Sequence, residues 1–146
     1  MRGTSIAVCA ALAACASGPP APAELDTRTE TCGSCRMAVS EARFAAQLVA
    51  RGEEPLFFDD LGCLRDFLRA GGGAGRTTYV ADHRTRDWVD ATGAVYTRVP
   101  GLRTPMGSQV IAHADAASRD LDPAARGGSA VAAAAVIGTA AAGRAP

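Results

Sequence analysis

The chain has 146 residues, enough for one domain of ordinary size. Its basic residues are all arginine, and 15 of them balance 15 acidic residues, so the formal net charge is zero. A neutral chain without a basic stripe lacks the electrostatic footprint of a nucleic-acid binder, and that class is set aside.

Taken in chain order, the first segment has the plan of an export signal. MRGTSIAVCAALAAC carries one basic residue, a short apolar run from Ile6 to Ala14, and small residues before a cysteine. The run is too short for a permanent membrane span. Leu12-Ala13-Ala14-Cys15 fits the bacterial lipobox. That pattern predicts a lipoprotein signal peptide over residues 1–14, lipidation of Cys15, and a domain held at a membrane of the cell envelope. With Ala16 after Cys15, an organism with two membranes is expected to send the protein to the outer membrane, facing the periplasm. Residues 15–30 are small, Pro-rich and polar and read as a flexible tether. With Cys9 removed and Cys15 acylated, Cys32, Cys35 and Cys63 remain as thiols. An odd number excludes a fully paired disulfide framework.

The domain is expected over residues 31–121. ARFAAQLVA and EPLFFDD read as strands. LGCLRDFLRA reads as a helix, because Leu61, Leu64 and Leu68 share a face with Phe67 beside them. Asp59 or Asp60 caps that helix and the glycine run after Ala70 ends it. TTYVAD, DWVDA, AVYTRV and SQVIAHAD read as further strands, and AASRDL as a short helix capped by Asp115. Each half runs strand, strand, then helix, which predicts an α+β fold with helices on one face of an antiparallel sheet. Residues 122–146 are Ala- and Gly-rich and read as a low-complexity tail, too short in its apolar part to span a bilayer.

The chemistry concentrates in TCGSCRMAV, which puts Cys32, Cys35 and Met37 within six positions. A disulfide, a redox pair, part of a zinc site and a soft-metal site all remain open. The redox pair lacks a βαβ context. Zinc lacks the second paired ligand motif, with only Cys63, His83 and His113 singly placed. Cu(I) uses thioether as well as thiolate donors, and in an extended segment Cys35 and Met37 point to one side. Met106, between Pro105 and Gly107, sits in a turn suited to presenting one side chain.

CGSCRM, AAQLVA, FFDDLGCL, YVAD, DWVDATGAVY and TPMG occur in this order between residues 32 and 107. Together they resemble the accessory lipoproteins of nitrous oxide reductase, the NosL family, over residues 31–121. The resemblance implies a pair of ββαβ units and a membrane-anchored Cu(I) carrier. Its partners would be nitrous oxide reductase or its assembly machinery. By matched position it implies Cys35, Met37 and Met106 as copper ligands, with Cys32 either joining the site or pairing with Cys35. Arg36 stands where the family usually has glycine, and the tail after Arg126 departs from the family's ending.

Other polar residues take structural readings. His113, in a strand-like run, is a satisfied histidine or a further copper ligand. His83 reads as an exposed turn residue, Cys63 as a small buried hydrophobe, and Trp88 and Tyr96 as sheet residues. No nucleophile stands beside a base, so no enzyme activity is expected. The alternative to copper transport is an exported thiol-disulfide or zinc-binding lipoprotein using Cys32 and Cys35.

Overall fold

A computed structural model describes residues 18–139. The segment read as an export signal and Cys15 therefore lie outside the described residues. The fold is α+β, with two antiparallel sheets and three helices. The strands are β1 (Ala46–Val49), β2 (Leu56–Phe58), β3 (Thr77–Ala81), β4 (Trp88–Asp90), β5 (Val95–Arg98), β6 (Val110–His113) and β7 (Ser129–Val131). The helices are α1 (Leu61–Arg69), α2 (Ala116–Leu121) and α3 (Ala133–Ile137). Among the described residues no helix is long and apolar enough to cross a membrane.

The two antiparallel sheets are ordered β2-β1-β3-β4 and β6-β5-β7. Each contains one ββαβ unit. β1, β2, α1 and β3 form the first, with β1 central and antiparallel to both neighbours. β5, β6, α2 and β7 form the second in the same arrangement. The registers match as well, because Ala46 pairs with Phe58 in one unit and Val95 with His113 in the other.

Local chemistry explains the elements. β1 is buried along its whole length, as a central strand covered on both faces must be. α1 starts where Asp60, in extended conformation, accepts a hydrogen bond from the Gly62 N–H at 2.6 Å. It buries Leu61, Cys63 and Leu64, and Phe67 packs on Phe58 with ring centroids 5.1 Å apart. Gly71 follows the C-terminus with φ 88°, a value that costs glycine nothing. Asp115 caps α2 through the Ser118 N–H at 2.7 Å.

The packed unit extends beyond residues 31–121 on both sides. The segment read as a tether lies on the first sheet. Buried Gln47 accepts from the Ala23 N–H at 2.8 Å and donates to the Ala23 carbonyl at 3.1 Å. Tyr79 donates its hydroxyl to the Pro20 carbonyl at 2.7 Å. At the other end, residues 129–131 supply β7, the third strand of the second sheet, pairing Tyr96 with Val131. Gly128 admits this close approach, since a Cβ there would meet Thr97 Cγ2 at 2.4 Å. α3 then buries Val136 and Ile137 in the core beside α1. Each such side chain contributes about 2 kcal/mol of hydrophobic stabilisation. The tail reading thus fails for residues 122–139.

Candidate metal centre

A tight hairpin over residues 31–38 carries the first two cysteines. Thr31 bridges Ala38, the Cys32 N–H donates to the Met37 carbonyl at 2.7 Å, and the Arg36 N–H to the Cys32 carbonyl at 3.0 Å. The Gly33 N–H donates to the Phe57 carbonyl at 2.8 Å, docking the hairpin on β2. β2 leads directly into α1, whose first turn holds Cys63. This route brings the Sγ atoms of Cys32, Cys35 and Cys63 within 4.8 Å of one another. All three are free thiols, Cys32 and Cys63 buried and Cys35 half-buried. The cluster has the geometry to hold a metal ion.

Sequence reasoning placed Cys63 in the interior correctly but missed its part in the cluster. The available signal was its position three residues past the capping Asp60, in a first turn whose end faces incoming chain.

The second unit repeats this hairpin over residues 81–88. The Asp82 N–H donates to the Asp87 carbonyl at 2.8 Å, Arg86 to the Asp82 carbonyl at 2.7 Å, and His83 to the Ala112 carbonyl at 2.8 Å. Cys32 forms a parallel bridge with Phe57, and Asp82 forms the equivalent one with Ala112. Even the left-handed residue recurs, with φ 66° at Arg36 and 69° at Arg86. Glycine meets that conformation without strain, so each arginine holds a backbone geometry that costs a residue with a Cβ.

The equivalence reaches the side chains. The Asp82 carboxylate accepts from the N–H groups of Arg84 and Thr85, each at 2.9 Å, from Ala114 N–H at 2.8 Å, and from the Ser118 hydroxyl at 2.7 Å. Burial opposes its ionisation, yet these donors hold its pKa down at about 2. Cys32 occupies the same seat in the first unit. Burial again works against charge, but the backbone N–H groups of Asp59, Cys35 and Ser34, with the Cys35 side chain, outweigh it and lower the thiol's pKa. Cys63 stands where Ser118 stands, three residues past the helix cap. Burial pushes its pKa up, and the neighbouring Cys32 charge and hydrogen bond push it further. Cys32 is thus the more readily ionised of the two thiols and Cys63 the less.

The methionines lie on backbone tied to the segments that carry these cysteines. Met37 is 58% exposed and Met106 45% exposed. The Met37 backbone is bonded to Cys32. The Met106 N–H donates at 3.0 Å to Asp60, the residue that caps the helix of Cys63. Thr104 donates its hydroxyl to the same carboxylate oxygen at 2.6 Å. Gly62 lets this loop lie close, because a Cβ there would stand 3.1 Å from Ser108 Cβ.

His113 is not gathered with the cysteines. It is fully buried, with Nε2 3.0 Å from Asp122 Oδ2, and His83 Nδ1 lies 2.6 Å from the same oxygen. His83 is therefore no exposed turn residue. It packs against Phe44 with ring centroids 5.1 Å apart and is held by an aspartate from the supposed tail. Burial opposes the Asp122 charge, and the hydrogen bonds from His113 and His83 more than offset it, lowering the pKa.

Comparison of the chain with protein-family models, with curated proteins and with solved structures finds no match.

Proposed function

We infer that the protein is a Cu(I)-binding metallochaperone, anchored to a membrane of the cell envelope through a lipid on Cys15. Its cargo would be delivered for maturation of nitrous oxide reductase, to that enzyme or its assembly machinery. The carrying observation is three cysteine sulfurs within 4.8 Å of one another, with exposed Met37 on the hairpin that holds two of them and exposed Met106 on a loop bonded to Asp60, which caps the helix of the third. Among the described residues no His, Asp or Glu ligand atom joins that set. Zinc in a structural site wants a fourth closed ligand, usually nitrogen or sulfur from a paired motif. Cu(I) accepts low coordination and soft thiolate or thioether donors.

Within this reading Cys32 supplies a thiolate, its ionisation favoured by the N–H groups around it. Cys35 and Cys63 supply further sulfur, and Met37 and Met106 offer neutral thioethers at the exposed side, where an incoming client ligand would meet the ion. The site binds and releases cargo and needs no general acid or base.

The test is a competition titration of the reduced protein with a Cu(I) chelator, alongside X-ray absorption of the loaded form. About one Cu(I) per chain in an all-sulfur shell, preferred over Zn2+, is expected. A four-coordinate Zn2+ preferred over Cu(I), or a copper shell of nitrogen and oxygen, would defeat it. Loss of membrane association in Cys15→Ser tests the anchor.

A further inference from the structure

The internal repeat supplies a control for the buried His83–His113–Asp122 cluster. Hairpin and register equivalences place His83 opposite Gly33 and His113 opposite Phe58. Asp122 lies seven residues past its helix cap, as Phe67 lies seven past Asp60. In the first unit these positions are filled by a plain apolar contact, the Phe58 and Phe67 rings at 5.1 Å, with a Cβ on Gly33 reaching Phe58 at 3.4 Å. The same fold therefore closes without any polar group there. The second unit instead buries two imidazoles and a carboxylate, with His83 and Asp122 side chains only 4% and 7% exposed and His113 at 0%. Desolvating these groups is unfavourable, and the compensation is incomplete, because His113 Nδ1 has no hydrogen-bond partner.

We propose that His83, His113 and Asp122 form a second metal site, separate from the cysteine cluster, for a divalent cation of borderline softness. Nδ1 of His83, Nε2 of His113 and a carboxylate oxygen of Asp122 lie within 4.8 Å of one another. Two imidazoles and one carboxylate are a donor set for Zn2+ or its first-row neighbours, not for Cu(I). The two imidazoles converge on one oxygen at 2.6 and 3.0 Å, so a cation would replace shared protons with a small outward movement of the rings. With no partner at Nδ1, His113 is free to hold its proton there and offer Nε2 as a bare ligand. Asp122 also lines an open cleft of about 490 Å³ beside Asp120 and Arg119.

The test removes the sulfur ligands first. Zn2+ is titrated into the full chain carrying Cys32→Ser, Cys35→Ser and Cys63→Ser. The Cys63→Ser change copies Ser118 of the second unit, and Cys32→Ser retains an acceptor in its seat. One Zn2+ per chain and a rise in Tm with Zn2+ concentration are expected. Adding His113→Phe, which copies the first unit, should weaken Zn2+ at least about tenfold, the scale seen even for lost outer partners of a metal. It should also abolish the Zn2+-dependent rise in Tm. Asp122→Asn keeps the side chain's shape and its bond to Ala124, and should weaken Zn2+ in the same direction if the Phe variant fails to fold. In the same triple-serine chain, bound Co2+ should lack sulfur-to-metal charge-transfer bands. No Zn2+ uptake by the serine variant, or uptake unchanged by Asp122→Asn, would overturn the proposal. Because no cysteine takes part, either result is independent of whether the sulfur cluster carries copper.

Discussion

If Cys32 and Asp82 fill equivalent seats, the first unit should accept the second unit's chemistry. The perturbation is Cys32→Asp with Cys63→Ser, which reproduces the Asp82–Ser118 pair in the first unit. The new carboxylate would accept from Ser34, Cys35 and Asp59 N–H and from the hydroxyl that Cys63→Ser introduces, as Asp82 does from its four donors. Asp82 is held at about 2, and the gap from an ordinary aspartate near 3.9 is worth about 2.6 kcal/mol of stability at neutral pH. The folded-state pKa is depressed, so this contribution is full above the unfolded value and is lost as pH falls through about 2. Roughly 1.2 kcal/mol of it should disappear between pH 5 and pH 3. The assay is urea unfolding of wild type and variant at both pH values, with Cu(I) retention measured in parallel. The variant should be folded at pH 5, lose about 1.2 kcal/mol more than wild type on going to pH 3, and retain almost no Cu(I). An unfolded variant at pH 5, or an acid dependence parallel to wild type, would refute the equivalence of the seats.

Three further outcomes are expected. Arg36→Gly should stabilise the protein by roughly 0.5–1 kcal/mol in denaturant melts, since a left-handed non-glycine costs about 1–2 kcal/mol and glycine's extra unfolded freedom offsets part of the gain; a loss would mean the arginine makes a compensating contact. Ile137→Ala should destabilise by about 3 kcal/mol, whereas a tail without a place in the core would give no change in Tm. Met37→Leu and Met106→Leu should each weaken Cu(I) in chelator competition while leaving the melt within about 1.5 kcal/mol of wild type; unaltered affinity in the double variant would remove the thioethers from the site.

The elements legible in the sequence are those with a period or a cap. α1 has its Leu61, Leu64 and Leu68 stripe and the Asp60 cap, and the strands from β1 to β6 carry apolar runs between turn residues. β7 is three residues without a period, and its identity comes only from pairing with β5. α3 contributes two apolar side chains to the core from a stretch whose composition resembles a linker. The repeat was visible as an order of elements and hidden as residues. CGSCRM and DHRTRD share one arginine, because one hairpin is built around sulfur and the other around carboxylate. The same divergence concealed His83. Its burial depends on Asp122, 39 residues away in the chain, a separation that no local pattern reports.

The Gln47–Ala23 and Tyr79–Pro20 bonds also set a mechanical limit. A leash running free to residue 30 would let the domain wander about 50 Å from its anchor. Once Pro20 is fastened to the sheet, only five peptide links separate it from Cys15, a reach of at most about 18 Å. For a chain lipidated at Cys15, the domain then rides almost against the bilayer surface. Its encounters are confined to a shallow layer, which raises the effective concentration of any client anchored in the same membrane and lowers it for clients diffusing in the bulk.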